Sequence, residues 1–145
     1  MADKSRTEVQ AVWQGGLAFE AANQAGLTIT MDSPLAEGMP KGPSPMQLLL
    51  MSVAGCTAMD VISILEKKRQ QVTALEVKVI GQRADDHPRY FREIELVFVV
   101  RGHDVDPKAV ERAIELSAEK YCSASANLQP KSEIRHHFEV EQEES

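Results

Sequence analysis

The chain has 145 residues, so one domain spanning 1–145 is the default reading, long enough to bury a core without disulfides or metals. Apolar residues make up 43% and charged residues 26%, a globular rather than a disordered composition. Twenty-two acids against 16 bases give a net charge of −6, which argues against nucleic acid or an anionic membrane as partner, since both attract basic surfaces.

The first residues, Met1 to Arg6, have no apolar run behind their charges and do not read as a signal peptide. Met46 to Leu65 is mostly apolar and about as long as a membrane span. It also carries Gln47, Ser52, Thr57, Asp60 and Ser63, and a mid-span aspartate costs a few kcal/mol in lipid. A buried helix of a soluble protein is the expectation. Two cysteines without a secretion signal point to a reducing cytoplasm, where a reactive pair fits better than a structural disulfide.

In chain order, Val9–Trp13, Leu17–Ala21 and Leu27–Met31 read as short strands, separated by Gly15-Gly16 and by Asn23 to Gly26. Ser33 to Pro45 follows, a connection with four prolines and two glycines; ordered loops of that length often line a site. Ser44 is a natural N-cap with Pro45 at the first helical position. The helix from Pro45 to about Arg69 is apolar nearly all round and should be buried on several sides. Leu75, Val77 and Val79 then alternate with Glu76 and Lys78 as a strand with one wet face, and Tyr90 to Arg101 continues as a longer one. Asp106-Pro107 opens another helix, whose apolar side is Val110, Ala113, Ile114, Ser117 and Tyr121. Ile134, His136, Phe138 and Val140 alternate with polar residues as an outer strand. The order β-β-β-α-β-β-α-β predicts an α+β fold, mainly antiparallel, around a buried central helix. That helix needs more cover than one small sheet provides, so a homodimer is expected. Residues 1–6 and 141–145 are expected to be flexible.

Cys56 lies within the apolar helix, directly after Gly55, and Cys122 closes the later helix. Glycine in a helix interior costs about 1 kcal/mol relative to alanine, which is accepted where something approaches the backbone closely. Buried cysteines are commonly inert small hydrophobes. The pair also suits peroxide reduction, in which one thiolate becomes a sulfenic acid and the other condenses with it. That requires the two Cα atoms within roughly 7 Å.

Pro45-Met46-Gln47-Leu48-Leu49, Ala54-Gly55-Cys56 and Tyr121-Cys122, together with the element order, resemble the OsmC/Ohr family of thiol peroxidases. The resemblance runs from the first strand to Phe138. It implies an intertwined homodimer with both active sites at the interface, Cys56 as the peroxidatic and Cys122 as the resolving cysteine. It further implies hydroperoxide as substrate, an external thiol or dithiol as reductant, and no cofactor.

The chain also departs from the family pattern. The family arginine that pairs with the reactive thiolate is matched by Ala18, and the helix start has Met46-Gln47 where the family has a glutamate. Ser123 follows the second cysteine where proline is common. A thiol of pKa about 8.5 is only roughly 3% ionised at pH 7, and oxyanion donors contribute about 10²–10³ in rate. The dipole of the long helix fades before Cys56, and Asp60 stands one turn beyond it on the same face. Weak activity is therefore expected unless Arg83, Arg89, Arg92 or Lys120 serves.

No metal centre is expected: adjacent strand residues His136 and His137 point to opposite faces, and His87 and His103 have no ligand spacing to either cysteine. Met46, Gln47 and Met59 are candidate lining for an apolar substrate pocket, and Trp13 for core or dimer interface. Two functions follow: a cytoplasmic hydroperoxide reductase, favouring organic peroxides because the surroundings of Cys56 are apolar, or a non-catalytic dimeric module binding a small apolar ligand at its interface. A purely structural dimer leaves both cysteine contexts unexplained.

Overall fold

The computed structural model describes residues 5–35 and 38–144. The outermost residues expected to be flexible, 1–4 and 145, lie outside that description. Two compact units are present, one up to Leu49 and the other from Leu50 onward.

In the first unit, β1 (Val9–Trp13), β2 (Phe19–Asn23) and β3 (Thr28–Met31) form an antiparallel meander, with Trp13 opposite Phe19 and Phe19 opposite Met31. The tight connection after β1 uses left-handed Gly15 and Gly16, with φ of 98° and 56°, a conformation other residues adopt only with strain. Hydrogen bonds from Gln14 N–H to Ala18 O (2.8 Å) and from Ala18 N–H to Gly15 O (3.0 Å) draw Leu17 and Ala18 into that turn. β2 therefore starts at Phe19 rather than at the expected Leu17. Trp13 is not core here: it is 65% exposed, and its indole N–H donates to Gly16 O. In the following connection Asp32 is buried. The backbone N–H groups of Lys41 and Ser33 hold its carboxyl below the usual value.

Helix α1 (Pro45–Lys67) begins with the expected cap. Ser44 Oγ accepts the Gln47 N–H (3.1 Å) and Gln47 Oε1 accepts the Ser44 N–H (2.9 Å), a reciprocal box that satisfies two otherwise orphaned donors. The far end closes through Gln70 N–H to Leu65 O and Arg69 N–H to Glu66 O, with Arg69 at φ 59°. This is a left-handed helix stop built on a non-glycine residue. Val53, Thr57, Val61 and Leu65, four residues apart, are the buried stripe. Other sides are open: Met51 is 53% and Met59 72% exposed. Among the described residues the helix is thus fully buried along one face only, where its sequence calls for cover on several. Its length of 23 residues and mean hydropathy of 2.0 also meet the size and composition of a membrane span.

The second unit holds β4 (Gln71–Arg83), β5 (Phe91–His103) and β6 (Glu133–Gln142), in sheet order β4-β5-β6. The β4–β5 pairing is antiparallel and the β5–β6 pairing parallel. The expected α+β, mainly antiparallel architecture is present, with β6 as an outer strand. Ile94, Leu96, Phe98 and Val100 bury one face of the central strand, as period-two alternation dictates. A parallel pair needs a long crossover, and helix α2 (Pro107–Leu116) begins it. Asp106 caps α2 by accepting the Lys108 N–H.

The second helix of the sequence reading ends at Cys122 as expected, but its last turn is not α-helical and a further short helix follows. After α2 comes a π-helical turn, Ser117–Tyr121, in which Cys122 N–H reaches Ser117 O (2.8 Å). Cys122 then adopts extended backbone, with φ −74° and ψ 97°, and a short helix α3 (Ser123–Leu128) follows. The wider turn shifts the helical phase. Val110, Ala113, Ile114 and Ser117 stay buried as expected, whereas Tyr121 swings out to 48% exposure.

Candidate functional site

Cys56 projects from the middle of α1, and Cys122 sits at the break between the π turn and α3. Both are free thiols; Cys122 is 5% exposed and Cys56 half-buried. Their sulfurs and an oxygen of Asp60 all lie within 4.8 Å of one another. Asp60 follows Cys56 by one helical turn, and its carboxylate accepts the buried Ser117 hydroxyl at 2.8 Å.

Hydrogen-bond donors converge on both sulfurs. Backbone N–H groups of Ala124 and Ser123, at the start of α3, point at Cys56. Cys122 Sγ is met by the Ser125 hydroxyl (3.1 Å), the Thr57 hydroxyl (3.3 Å) and the Ser125 N–H (3.4 Å). Burial pushes the Cys122 thiol up, but the Ser125 and Thr57 hydroxyls, the Ser125 N–H and the Cys56 thiol outweigh it and hold Cys122 below the ordinary thiol value. For Cys56 the Ala124 N–H favours the thiolate; burial and the adjoining Cys122 sulfur prevail, leaving it raised. Of the two sulfurs Cys122 is therefore the easier to ionise, and the adjoining Cys56 thiol favours its charged form.

The long helix's own dipole plays no part in this arrangement. A different helix, α3, brings its first N–H groups to Cys56, and nothing in the helical periodicity of α1 announced it. Gly55 also differs from expectation: among the described residues nothing lies within 4 Å of a Cβ built there. The close approach that would justify a glycine is therefore not made by the described residues. Of the cations considered, Arg83 donates to Arg89 O and Arg89 to Ala84 O within the β4–β5 connection, and Lys120 lies over the Tyr121 ring.

Met59 lines a groove of about 330 Å³ with Ala58, Ile62, Val72 and Leu75. Met46 and Gln47 belong to the first turn of α1, where Gln47 is engaged by its cap. Ala18, the position matched to the family arginine, is buried in the N-terminal unit at 2% exposure. A second cavity, about 400 Å³, is lined by Asp60, Lys67, Lys68, Leu116 and Tyr121 and adjoins the cysteine cluster through Asp60. His136 is partly buried against Phe98, and its Nε2 has no hydrogen-bond partner among the described residues.

A three-stranded meander, a long apolar helix and a second sheet with a crossover, holding two adjacent thiols, define a two-cysteine α+β protein. Residues 38–137 match the family described as OsmC-like protein. The chain belongs to the OsmC-like family. It is 44% identical to Protein YhfA of Escherichia coli K12 over 128 residues, 88% of this chain and 93% of that one. A hypothetical protein from Aquifex aeolicus is similar in structure, with a TM-score of 0.85 and 36% identity, over 96% of this chain and 98% of that one. The organic hydroperoxide resistance protein OhrB of Bacillus subtilis has the same fold, with a TM-score of 0.64 and 20% identity over 92% of this chain and 98% of that one.

Proposed function

We propose that the protein is a cytoplasmic, homodimeric, thiol-dependent hydroperoxide reductase acting on organic hydroperoxides. The observation that carries this reading is the meeting of the chain's two sulfurs, from helices far apart in sequence, under convergent hydrogen-bond donors. Membership of the OsmC-like family, and a fold shared with a protein named for organic hydroperoxide resistance, support it. The second copy covers the open sides of α1, whose exposed methionines and leucine are otherwise unaccounted for.

Cys56 is the more accessible sulfur and attacks the terminal peroxide oxygen after passing its proton to Cys122. An S–O bond forms, the O–O bond breaks, and the alkoxide leaves as an alcohol on taking the proton held by Cys122, which becomes a thiolate again. The Cys56 sulfenic acid is then attacked by the Cys122 thiolate; an S–S bond forms and hydroxide departs as water. An external thiol or dithiol returns both sulfurs to the reduced state. The Ser123 and Ala124 N–H groups supply part of the anion stabilisation for which the family pattern uses an arginine. Hydroperoxide consumption with a dithiol reductant tests the reading. Wild type turns over, Cys56→Ser does not, and Cys122→Ser completes a single round before stalling. Equal rates for wild type and Cys56→Ser would contradict it.

The alanine at position 18 favours a second reading, a non-catalytic dimeric module with an apolar ligand at its interface. In that case reduced protein keeps both thiols in the presence of hydroperoxide.

A further inference from the structure

Asp60 has no task in the two-cysteine chemistry, yet its carboxylate shares a 4.8 Å cluster with both sulfurs. Cys56 and Asp60 are one turn apart on α1, so a single helix face presents two of the three groups. Cys122 supplies the third from the break before α3. From this cluster we infer a metal site in the reduced protein: Cys56, Cys122 and Asp60 bind one soft divalent cation of the zinc class, with a fourth position open to water.

The donor set fits that ion. Two thiolates select zinc-like metals over magnesium or calcium, and a carboxylate completes three protein ligands. Zn–S bonds of about 2.3 Å in a tetrahedron place the sulfurs about 3.8 Å apart, so the observed cluster closes on an ion through small side-chain rotations. Every ligand already has an outer partner. Ala124 and Ser123 N–H groups face Cys56, Ser125 and Thr57 face Cys122, and the Ser117 hydroxyl holds Asp60. Such partners orient ligands and tune the ion. The cavity of about 400 Å³ that Asp60 lines provides an entry path. The three ligands carry a charge of −3 when ionised, which the cation relieves as the thiol protons leave. A disulfide between the same sulfurs removes both thiolates, so metal and disulfide exclude each other.

The test uses Cd²⁺ titrated into reduced full-length protein, read by thiolate-to-metal charge-transfer absorbance and by competition with a chelator. One Cd²⁺ per chain is expected, and the band is lost in Cys56→Ser and in Cys122→Ser. Asp60→Asn, which preserves shape and still accepts from Ser117, weakens binding at least about tenfold. Ser117→Ala weakens it by about tenfold through the outer contact, and decides the matter if Asp60→Asn proves unfolded by circular dichroism. Absence of the band at stoichiometric Cd²⁺, or wild-type affinity in both Asp60→Asn and Ser117→Ala, overturns the three-ligand site. None of these readouts involves peroxide, so the metal site and the reductase reading succeed or fail separately.

Discussion

Replacing Ser125 by alanine probes the thiol pair where its electrostatics are most exposed to test. The Ser125 hydroxyl lies 3.1 Å from Cys122 Sγ, while the Ser125 N–H at 3.4 Å and the Thr57 hydroxyl at 3.3 Å reach the same atom. Alanine deletes the first and spares the other two. A hydrogen bond to an ionised acceptor is worth about 1.5–3 kcal/mol. Sulfur is a diffuse acceptor and two donors remain, so the lower end applies, and the thiolate population at a given pH falls about tenfold. The sign follows from the donors favouring the charged form: removing one raises the thiol's pKa. In a Cys56→Ser background only Cys122 titrates, and the rise of thiolate absorbance with pH reads it directly. Ser125→Ala should move that curve to higher pH, and adding Thr57→Val should move it further by less than the sum, because both hydroxyls serve one sulfur. Superimposable curves for serine and alanine, with unchanged circular dichroism, would refute the donor argument.

Gly55→Ala separates a glycine kept for a partner from one without purpose. If a second copy approaches the helix there, the variant dimer dissociates more readily in sedimentation; if none does, helix propensity stabilises the chain by about 1 kcal/mol in denaturant melts. Arg69→Gly should stabilise by about 1 kcal/mol, since Arg69 holds a left-handed φ of 59° that costs glycine nothing. Burial, with the neighbouring His137, lowers the pKa of His136. The folded state therefore favours its neutral form; that contribution is complete above the unfolded value and is lost as pH falls through the lowered folded one. His136→Phe should flatten the decline in melting temperature on acidification below about pH 6.5, whereas an unchanged decline would contradict this assignment.

Much of the frame was legible in the residues because it is written in local chemistry. Ser44-Pro45 and Asp106-Pro107 announced helix starts, and both caps form as read. Alternation placed β4, β5 and β6, and a helix apolar all round signalled that one chain alone leaves it partly bare. The end of the second helix at Cys122 is legible in the sequence; the π turn before it and the short α3 after it are not. Ser123 to Leu128 is too short for periodicity, and a π turn depends on where Ser117 and Cys122 can bond, which is a tertiary matter. For the same reason α3's N–H groups at Cys56 and the Ser117–Asp60 contact went unforeseen. Both join segments more than fifty residues apart. The spacing of Asp60 one turn after Cys56 was visible, but only the fold adds Cys122 to that face.

The most direct measurement of the central claim is the intact mass and free-thiol count of reduced protein given one equivalent of an alkyl hydroperoxide. The account predicts that both thiols vanish within seconds, with a mass loss of two hydrogens and one alcohol formed per chain. Retention of both thiols for minutes, at unchanged mass, would contradict it.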